Sequence, residues 1–208
     1  KYIAFADRND KYNVYVIDAN TGALVQTDTN KSQQITDIGW SKKPGDYTFA
    51  TCGARNIGFW AVKGKLRKGT GHGAQSFAAL TFDNKGTCYA GAFTGKIYVF
   101  PGTATSKNVT AHRGSVLTMC WSDEKLYTGG TDNNILIFDS NMKQISKIAV
   151  GSNPRSLDVN DDTILVGLRS GSICLVSQSQ KQITDYLMKS HHDGEVWGLD
   201  ITEDGDVI

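Results

Sequence analysis

The sequence predicts an all-β fold, a partial β-propeller of about five four-stranded blades out of a larger ring. Three observations predict it. First, strand-like segments with similar endings recur at Val14 to Asp18, Ile57 to Ala61, Ile97 to Pro101, Ile135 to Asp139 and Ile173 to Ser177. Aligned on Ile17, Trp60, Phe100, Phe138 and Val176, they are spaced by 43, 40, 38 and 38 residues, close to the roughly 40–45 residues of one blade. Second, His72, His112 and His192 keep the same beat, 40 and then 80 residues apart, with Ser152 at the skipped position. Third, no stretch shows helical periodicity, whereas glycine is abundant (22 residues) and proline scarce (3), as short strands joined by tight turns require.

In chain order, Tyr2 to Ala6 and Val14 to Asp18 read as strands closing one blade. Four whole blades follow, at about 31–70, 71–110, 111–150 and 151–190, all within one propeller segment spanning 1–208. The clearest is the third, with strands at Val116 to Trp121, Lys125 to Gly129, Asn134 to Phe138 and Lys143 to Val150. Its middle hairpin turns at Thr131-Asp132-Asn133, and the other blades turn at Ala54-Arg55-Asn56, Phe93-Thr94-Gly95 and Arg169-Ser170-Gly171. Gly, Asn and Asp suit such turns because hairpin loops need positive φ. Ile135-Leu136-Ile137-Phe138 is apolar throughout, as a strand covered on both faces must be. A further blade starts near His192 and runs to Asp206-Val207-Ile208. Both ends read as cut. A seven-bladed ring at about 40 residues per blade needs roughly 280 residues, so the remaining blades are expected in flanking sequence.

Charge narrows the partners. The 22 basic and 21 acidic residues leave a net charge of +1, without the basic excess of a nucleic-acid-binding domain. No apolar run approaches the roughly 18 residues of a membrane span, and no signal peptide is visible. Cys52, Cys88, Cys120 and Cys174 stand singly in strand-like segments with no CxxC pair, the pattern of buried, reduced thiols in a cytosolic protein. The sequons Asn30-Lys31-Ser32 and Asn108-Val109-Thr110 carry no meaning there.

Several residues invite a chemical reading, and most resolve into structure. His112, Thr128 and Asp132 form a histidine, strand-hydroxyl and turn-carboxylate set tied to the repeat frame; a catalytic site would occur once, outside any frame. We therefore read them as a buried structural network, tolerated when every member is satisfied. His72 has Thr94 at the corresponding turn and lacks the carboxylate. Gly91 to Lys96 has three residues between its glycines where a phosphate loop needs four, and Ile97 where Ser or Thr should bind magnesium. Gly69-Thr70-Gly71-His72-Gly73 has no helix behind it. His191 and His192 are adjacent, with no third ligand at zinc spacing. No cofactor, metal, small-molecule substrate or catalytic residue is expected. Lys63, Lys65, Arg67 and Lys68 lie on the expected outermost strand of one blade, with Lys42 and Lys43 in a nearby loop of the same blade. Lysines on an edge strand protect against strand-to-strand aggregation; the alternative is a basic patch for an acidic partner.

The histidine after a small residue, followed 28 residues on by Phe100 (from His72) or 26 by Phe138 (from His112), resembles the Gly-His to Trp-Asp frame of WD40 repeats. No repeat holds the Trp-Asp pair itself; the pairs are Ile17-Asp18, Trp60-Ala61, Phe100-Pro101, Phe138-Asp139 and Val176-Ser177. More specifically, Thr51 to Trp60 resembles a blade of the echinoderm microtubule-associated protein-like family, where Cys-Gly and a short turn precede Ile-x-Phe-Trp. Lys65 to Gly71 resembles the basic link after that blade. Tyr89-Ala90-Gly91 through Phe100, Ala111-His112, Ile164 to Gly167 and His192 to Leu199 follow in the family's order. The set covers most of the chain and resembles the first of that family's two tandem propellers. The family's hydrophobic motif and trimerising coiled coil are absent from this segment.

The resemblance implies a non-enzymatic microtubule-associated scaffold of the cytoskeleton, cytoplasmic or in a ciliary axoneme, with tubulin or axonemal proteins as partners and Lys42, Lys43, Lys63, Lys65, Arg67 and Lys68 as candidate contacts. The alternative is a generic WD40 adaptor in a signalling or ubiquitin-ligase complex. Neither nucleic acid nor membrane is an expected partner.

Overall fold

The computed structural model describes residues 1–30 and 33–189. The expectations placed on His191, His192 and the segment through Ile208 lie outside the described residues.

Nineteen strands and no helix form among the described residues: β1 (Tyr2–Ala6), β2 (Asn13–Asp18), β3 (Leu24–Thr29), β4 (Ile35–Trp40), β5 (Thr48–Gly53), β6 (Asn56–Ala61), β7 (Arg67–Lys68), β8 (Phe77–Phe82), β9 (Cys88–Ala92), β10 (Lys96–Phe100), β11 (Lys107–Thr110), β12 (Val116–Ser122), β13 (Lys125–Gly130), β14 (Asn134–Asp139), β15 (Gln144–Ala149), β16 (Pro154–Asn160), β17 (Thr163–Leu168), β18 (Ile173–Ser177) and β19 (Gln182–Met188). They pair only with sequence neighbours, in one three-stranded sheet (β1–β3) and four four-stranded sheets (β4–β7, β8–β11, β12–β15 and β16–β19). A run of four-stranded meanders with no crossover is the strand order of a partial WD40-type propeller.

The first strand of each four-stranded sheet carries the same irregularity. Register slips by one residue between Ile35 and Asp37, Phe77 and Ala79, Val116 and Thr118, and Pro154 and Ser156. One extra residue on one strand increases local twist. The turns after the second strands are left-handed where the sequence demanded it: Gly95 at φ 82°, Asn133 at 60° and Gly171 at 80°. Arg55, at φ 52°, takes that station in the first full sheet. A two-residue hairpin imposes positive φ on whatever residue stands there, at a cost of about 1 kcal/mol for a side chain with Cβ.

The described residues fall into two compact units, one within 1–92 with 98–108, and the other comprising 93–97 with 109–189. In the first, one core gathers Phe49, Trp60, Val14 and Val16, and another Ile57, Phe77, Cys88, Ala90 and Phe100. Phe49 stacks on Trp60 with ring centroids 5.9 Å apart, and the Trp60 indole N–H donates to the Thr51 hydroxyl at 2.9 Å. In the second unit, Tyr127, Ile135, Ile137, Ile148, Leu157 and Val166 form the core. Ile135, Leu136, Ile137 and Phe138 are all buried, as their unbroken apolar run predicts. All four cysteines are buried thiols outside any disulfide; burial pushes the Cys174 thiol up to about 12.

One strand differs from expectation. Lys63 and Lys65 are not on the outermost strand of their sheet, which is only Arg67–Lys68. The chain first turns through Lys63, at φ 60°, with Gly64 N–H donating to Ala61 carbonyl. Gln26 on β3 fixes this turn. Its Oε1 accepts the Lys63 N–H at 2.6 Å and its Nε2 donates to the Gly64 carbonyl at 2.8 Å. Backbone groups held by Gln26 are not available to a sheet ladder, so pairing starts later. Similarly, Pro101 lies beyond the end of β10 at Phe100, since it has no N–H to offer.

Candidate interaction surface

The structure brings His112, Thr128 and Asp132 together. His112 precedes β12, and its N–H donates to the Gly95 carbonyl at 3.1 Å. Its Nδ1 lies 2.8 Å from Asp132 Oδ1 and its Nε2 2.9 Å from Thr128 Oγ1. The second Asp132 oxygen accepts the Arg113 N–H at 3.1 Å. Glycine at 130 makes room for the ring: a Cβ there would meet His112 Cγ at 2.4 Å. Burial holds the His112 pKa below that of an ordinary histidine, against the pull of the Asp132 carboxylate. Burial also works against the Asp132 charge, but hydrogen bonds from His112 and the Arg113 N–H outweigh it and keep that carboxyl below its usual range. The consistent proton placement is a neutral imidazole whose Nδ1–H donates to Asp132 and whose Nε2 accepts the Thr128 hydroxyl proton. Both ring nitrogens are then occupied within the fold. A general base needs a free nitrogen within reach of a substrate, and this ring offers none.

His72 has a different environment. Its Nε2 lies 3.2 Å from the Gly69 carbonyl, while its buried Nδ1 has no hydrogen-bond partner among the described residues. Ala90 occupies the station of Thr128, since Ala90 pairs with Leu80 as Thr128 pairs with Met119. The ring instead packs edge-on against Phe77 and Phe100, at 5.3 and 6.3 Å between centroids.

Of the six basic residues singled out in the sequence, two line one cavity. Lys43 and Arg67 line a cavity of about 270 Å³ together with Lys85, which sequence reasoning missed. Lys85 lies in the β8–β9 turn of the next sheet, and only the packing of β4 and β5 against β8 brings it near. Phe59, Trp60, Phe82, Asp46 and Thr48 complete much of the wall, and the Pro101–Thr103 connection closes it. Arg67 pairs directly with Phe59 across β6 and β7, so the two share a sheet face, whereas Lys68 pairs with Gly58 and so takes the opposite face. Lys42 lies in the β4–β5 loop, and Lys63 and Lys65 in the turn before β7; none of the three lines the cavity.

Gly91 to Lys96 runs from β9 through the turn into β10, with no helix after it. Among the described residues no helix is long and apolar enough to cross a membrane.

Comparison with known proteins gives likenesses of two kinds, in sequence and in fold. The chain is 32% identical over 212 residues to the ciliary WD repeat-containing protein ctxp80 of Euplotoides octocarinatus, a match covering 98% of this chain and 29% of that protein. The chain thus spans under a third of the relative's length. A crystal structure of the computationally designed Ika8 protein superposes with a TM-score of 0.76 at 17% identity, over 99% of this chain and 66% of that one, a likeness of fold alone. No family model matches the chain.

Proposed function

The chain is a partial WD40-type β-propeller whose ciliary WD-repeat relative supports the WD-repeat family, and from that premise we propose that it is a non-enzymatic scaffold binding protein partners on ciliary or cytoplasmic microtubules. The observation that carries this reading is the extent of the likeness to the ciliary protein, 98% of this chain. The polar groups support it: the one histidine–carboxylate pair described, at 2.8 Å, is taken up within the sheet. Tubulin or an axonemal protein is the proposed partner, with Lys42, Lys43, Lys63, Lys65, Arg67 and Lys68 as the proposed contact region for an acidic surface. The whole blades are assigned to about 31–70, 71–110, 111–150 and 151–190.

The test is co-sedimentation of the full-length protein with polymerised tubulin, paired with affinity capture from ciliated cells. The protein is expected to pellet with microtubules and to recover tubulin or axonemal components. Capture of signalling or ubiquitin-ligase assemblies without tubulin, together with a protein that stays in the supernatant, would replace this reading with that of a general adaptor.

A further inference from the structure

We propose that the cavity between Lys43, Arg67 and Lys85 is a seat for one acidic side chain, a glutamate best, presented by an extended peptide of the partner. The proposal deepens the scaffold reading and rests on it. Four features of the cavity carry it.

The first is convergence. Its cations come from three separate segments: the β4–β5 loop (Lys43), β7 (Arg67) and the β8–β9 turn (Lys85). The β8–β9 turn lies against the β4–β5 loop, since a Cβ on Gly86 would stand in contact distance, 3.4 Å from Lys43 Cδ and 3.6 Å from Asp46 Oδ2. The second is net sign. Asp46 is the one carboxylate in the wall, and its oxygens already accept the Thr48 N–H at 3.1 Å and the Thr48 hydroxyl at 2.8 Å. Three cations against one internally bonded carboxylate leave the mouth positive, in a chain whose overall charge is only +1.

The third is the floor. Trp60 and Phe82 are 1% and 3% exposed, and Phe59 stands beside Arg67. The Trp60 N–H is held by Thr51, so the buried indole turns no donor into the cavity, and the half-buried Phe59 supplies the accessible carbon surface. Methylenes of a glutamate stem lie well against such a ring while its carboxylate meets the cations. The fourth is size. The cavity holds about 270 Å³, below the roughly 300–1,000 Å³ of small-molecule and cofactor sites. It suits a side chain on a peptide and is small for a nucleotide.

The test measures anisotropy of a fluorescein-labelled, glutamate-rich peptide titrated with the full-length protein. Arg67→Glu and Lys85→Glu are each expected to weaken binding about three- to tenfold. Lys107→Glu, on β11 and outside the cavity, and Lys143→Glu, in the β14–β15 turn, should leave it within about twofold. All four positions are exposed, and unchanged thermal melts verify the fold. Equal weakening by Lys107→Glu would sink the cavity while leaving a diffuse basic surface, and equal weakening by Lys143→Glu would reduce the effect to bulk charge. Full displacement of the peptide by inorganic phosphate at matched anion concentration would assign a small-anion site and overturn the peptide seat. Microtubule co-sedimentation of the unaltered protein reports separately on the scaffold reading, so either can fail without the other.

Discussion

Two histidines at the same station of successive sheets have unlike surroundings, and substitution should separate them. His112 has hydrogen bonds at both ring nitrogens, whereas His72 leaves buried Nδ1 unmet and contributes mainly ring surface against Phe77 and Phe100. His112→Phe is expected to destabilise by about 2 kcal/mol, because it takes away the ring partner of the buried Thr128 hydroxyl and of the Asp132 carboxylate, which keep only the Leu136 carbonyl and backbone N–H groups. His72→Phe removes an unsatisfied nitrogen and keeps the ring, so it should fall within about 1 kcal/mol of neutral. Equilibrium urea unfolding measures both, and equal losses would contradict this account. The His112 shift also gives a pH dependence. Its folded pKa lies below the ordinary value of about 6.5, so on acidification the unfolded chain takes up a proton before the folded one does. The contribution of His112 to stability is therefore full above about pH 6.5 and lost as pH falls below it, and His112→Phe should flatten that slope. The sequence made the His112 partners legible because turn chemistry and frame specify them. The aromatic packing of His72 was not legible, since it depends on which rings a neighbouring strand brings.

At the scale of elements, the repeated register slip is where neighbouring sheets of the first unit are joined. Thr36, the extra residue on β4, donates its hydroxyl proton to the Phe77 carbonyl at 2.7 Å, and Asp37 Oδ2 accepts the Leu80 N–H at 2.7 Å. Two adjacent side chains on β4 thus hold the backbone of β8 on either side of its own slip. Burial raises the Asp37 carboxyl to about 6, against the lowering pull of the Leu80 and Ile38 N–H groups. An unfolded aspartate titrates near 3.9, so the folded state binds this proton more tightly. The resulting stabilisation is complete below about pH 4 and is lost as pH rises through about 6. Asp37→Asn should abolish that loss, leaving the variant ahead by about 1–2 kcal/mol at pH 7 relative to its deficit or gain at pH 4, once screening of a part-exposed residue is allowed for. Urea titrations at both pH values check it. Turns give a second contrast. Gly95→Ala at φ 82° would drive a Cβ to 2.2 Å from the His112 carbonyl oxygen and should cost about 2 kcal/mol or more. Arg55→Gly at φ 52° should be neutral or stabilising by up to about 1 kcal/mol, as thermal melts of the two variants would show. Strand positions were readable from apolar runs bounded by turn residues. The slips were not, because a bulge belongs to a pairing and leaves no mark on one strand. The shortness of β7 was hidden for a similar reason: Gln26, nearly 40 positions upstream, fixes the turn that delays it.

At the scale of the whole molecule, the period of about 40 residues made the all-β meander legible. A repeat imposes the same hydrophobic and turn pattern several times over, so errors at single positions average out. The basic cavity had no such redundancy. Lys85 joins Lys43 and Arg67 only when successive sheets pack, and no spacing rule predicts that. The same distinction governs binding. A net charge of +1 gives the molecule little long-range field, and charges more than about 8–10 Å apart are screened at physiological salt. Attraction to an acidic partner must therefore come from where the cations lie. A charge-compensated variant tests this at constant net charge: Arg67→Glu and Lys85→Glu together with Asp28→Lys and Asp185→Lys, which moves two positive charges to exposed strands β3 and β19. Full-length protein carrying all four substitutions should bind microtubules about tenfold more weakly than the unaltered chain in co-sedimentation. Affinity restored to that of the unaltered chain would mean that total charge decides, and that the arrangement of Lys43, Arg67 and Lys85 around their aromatic floor has no part in recognition.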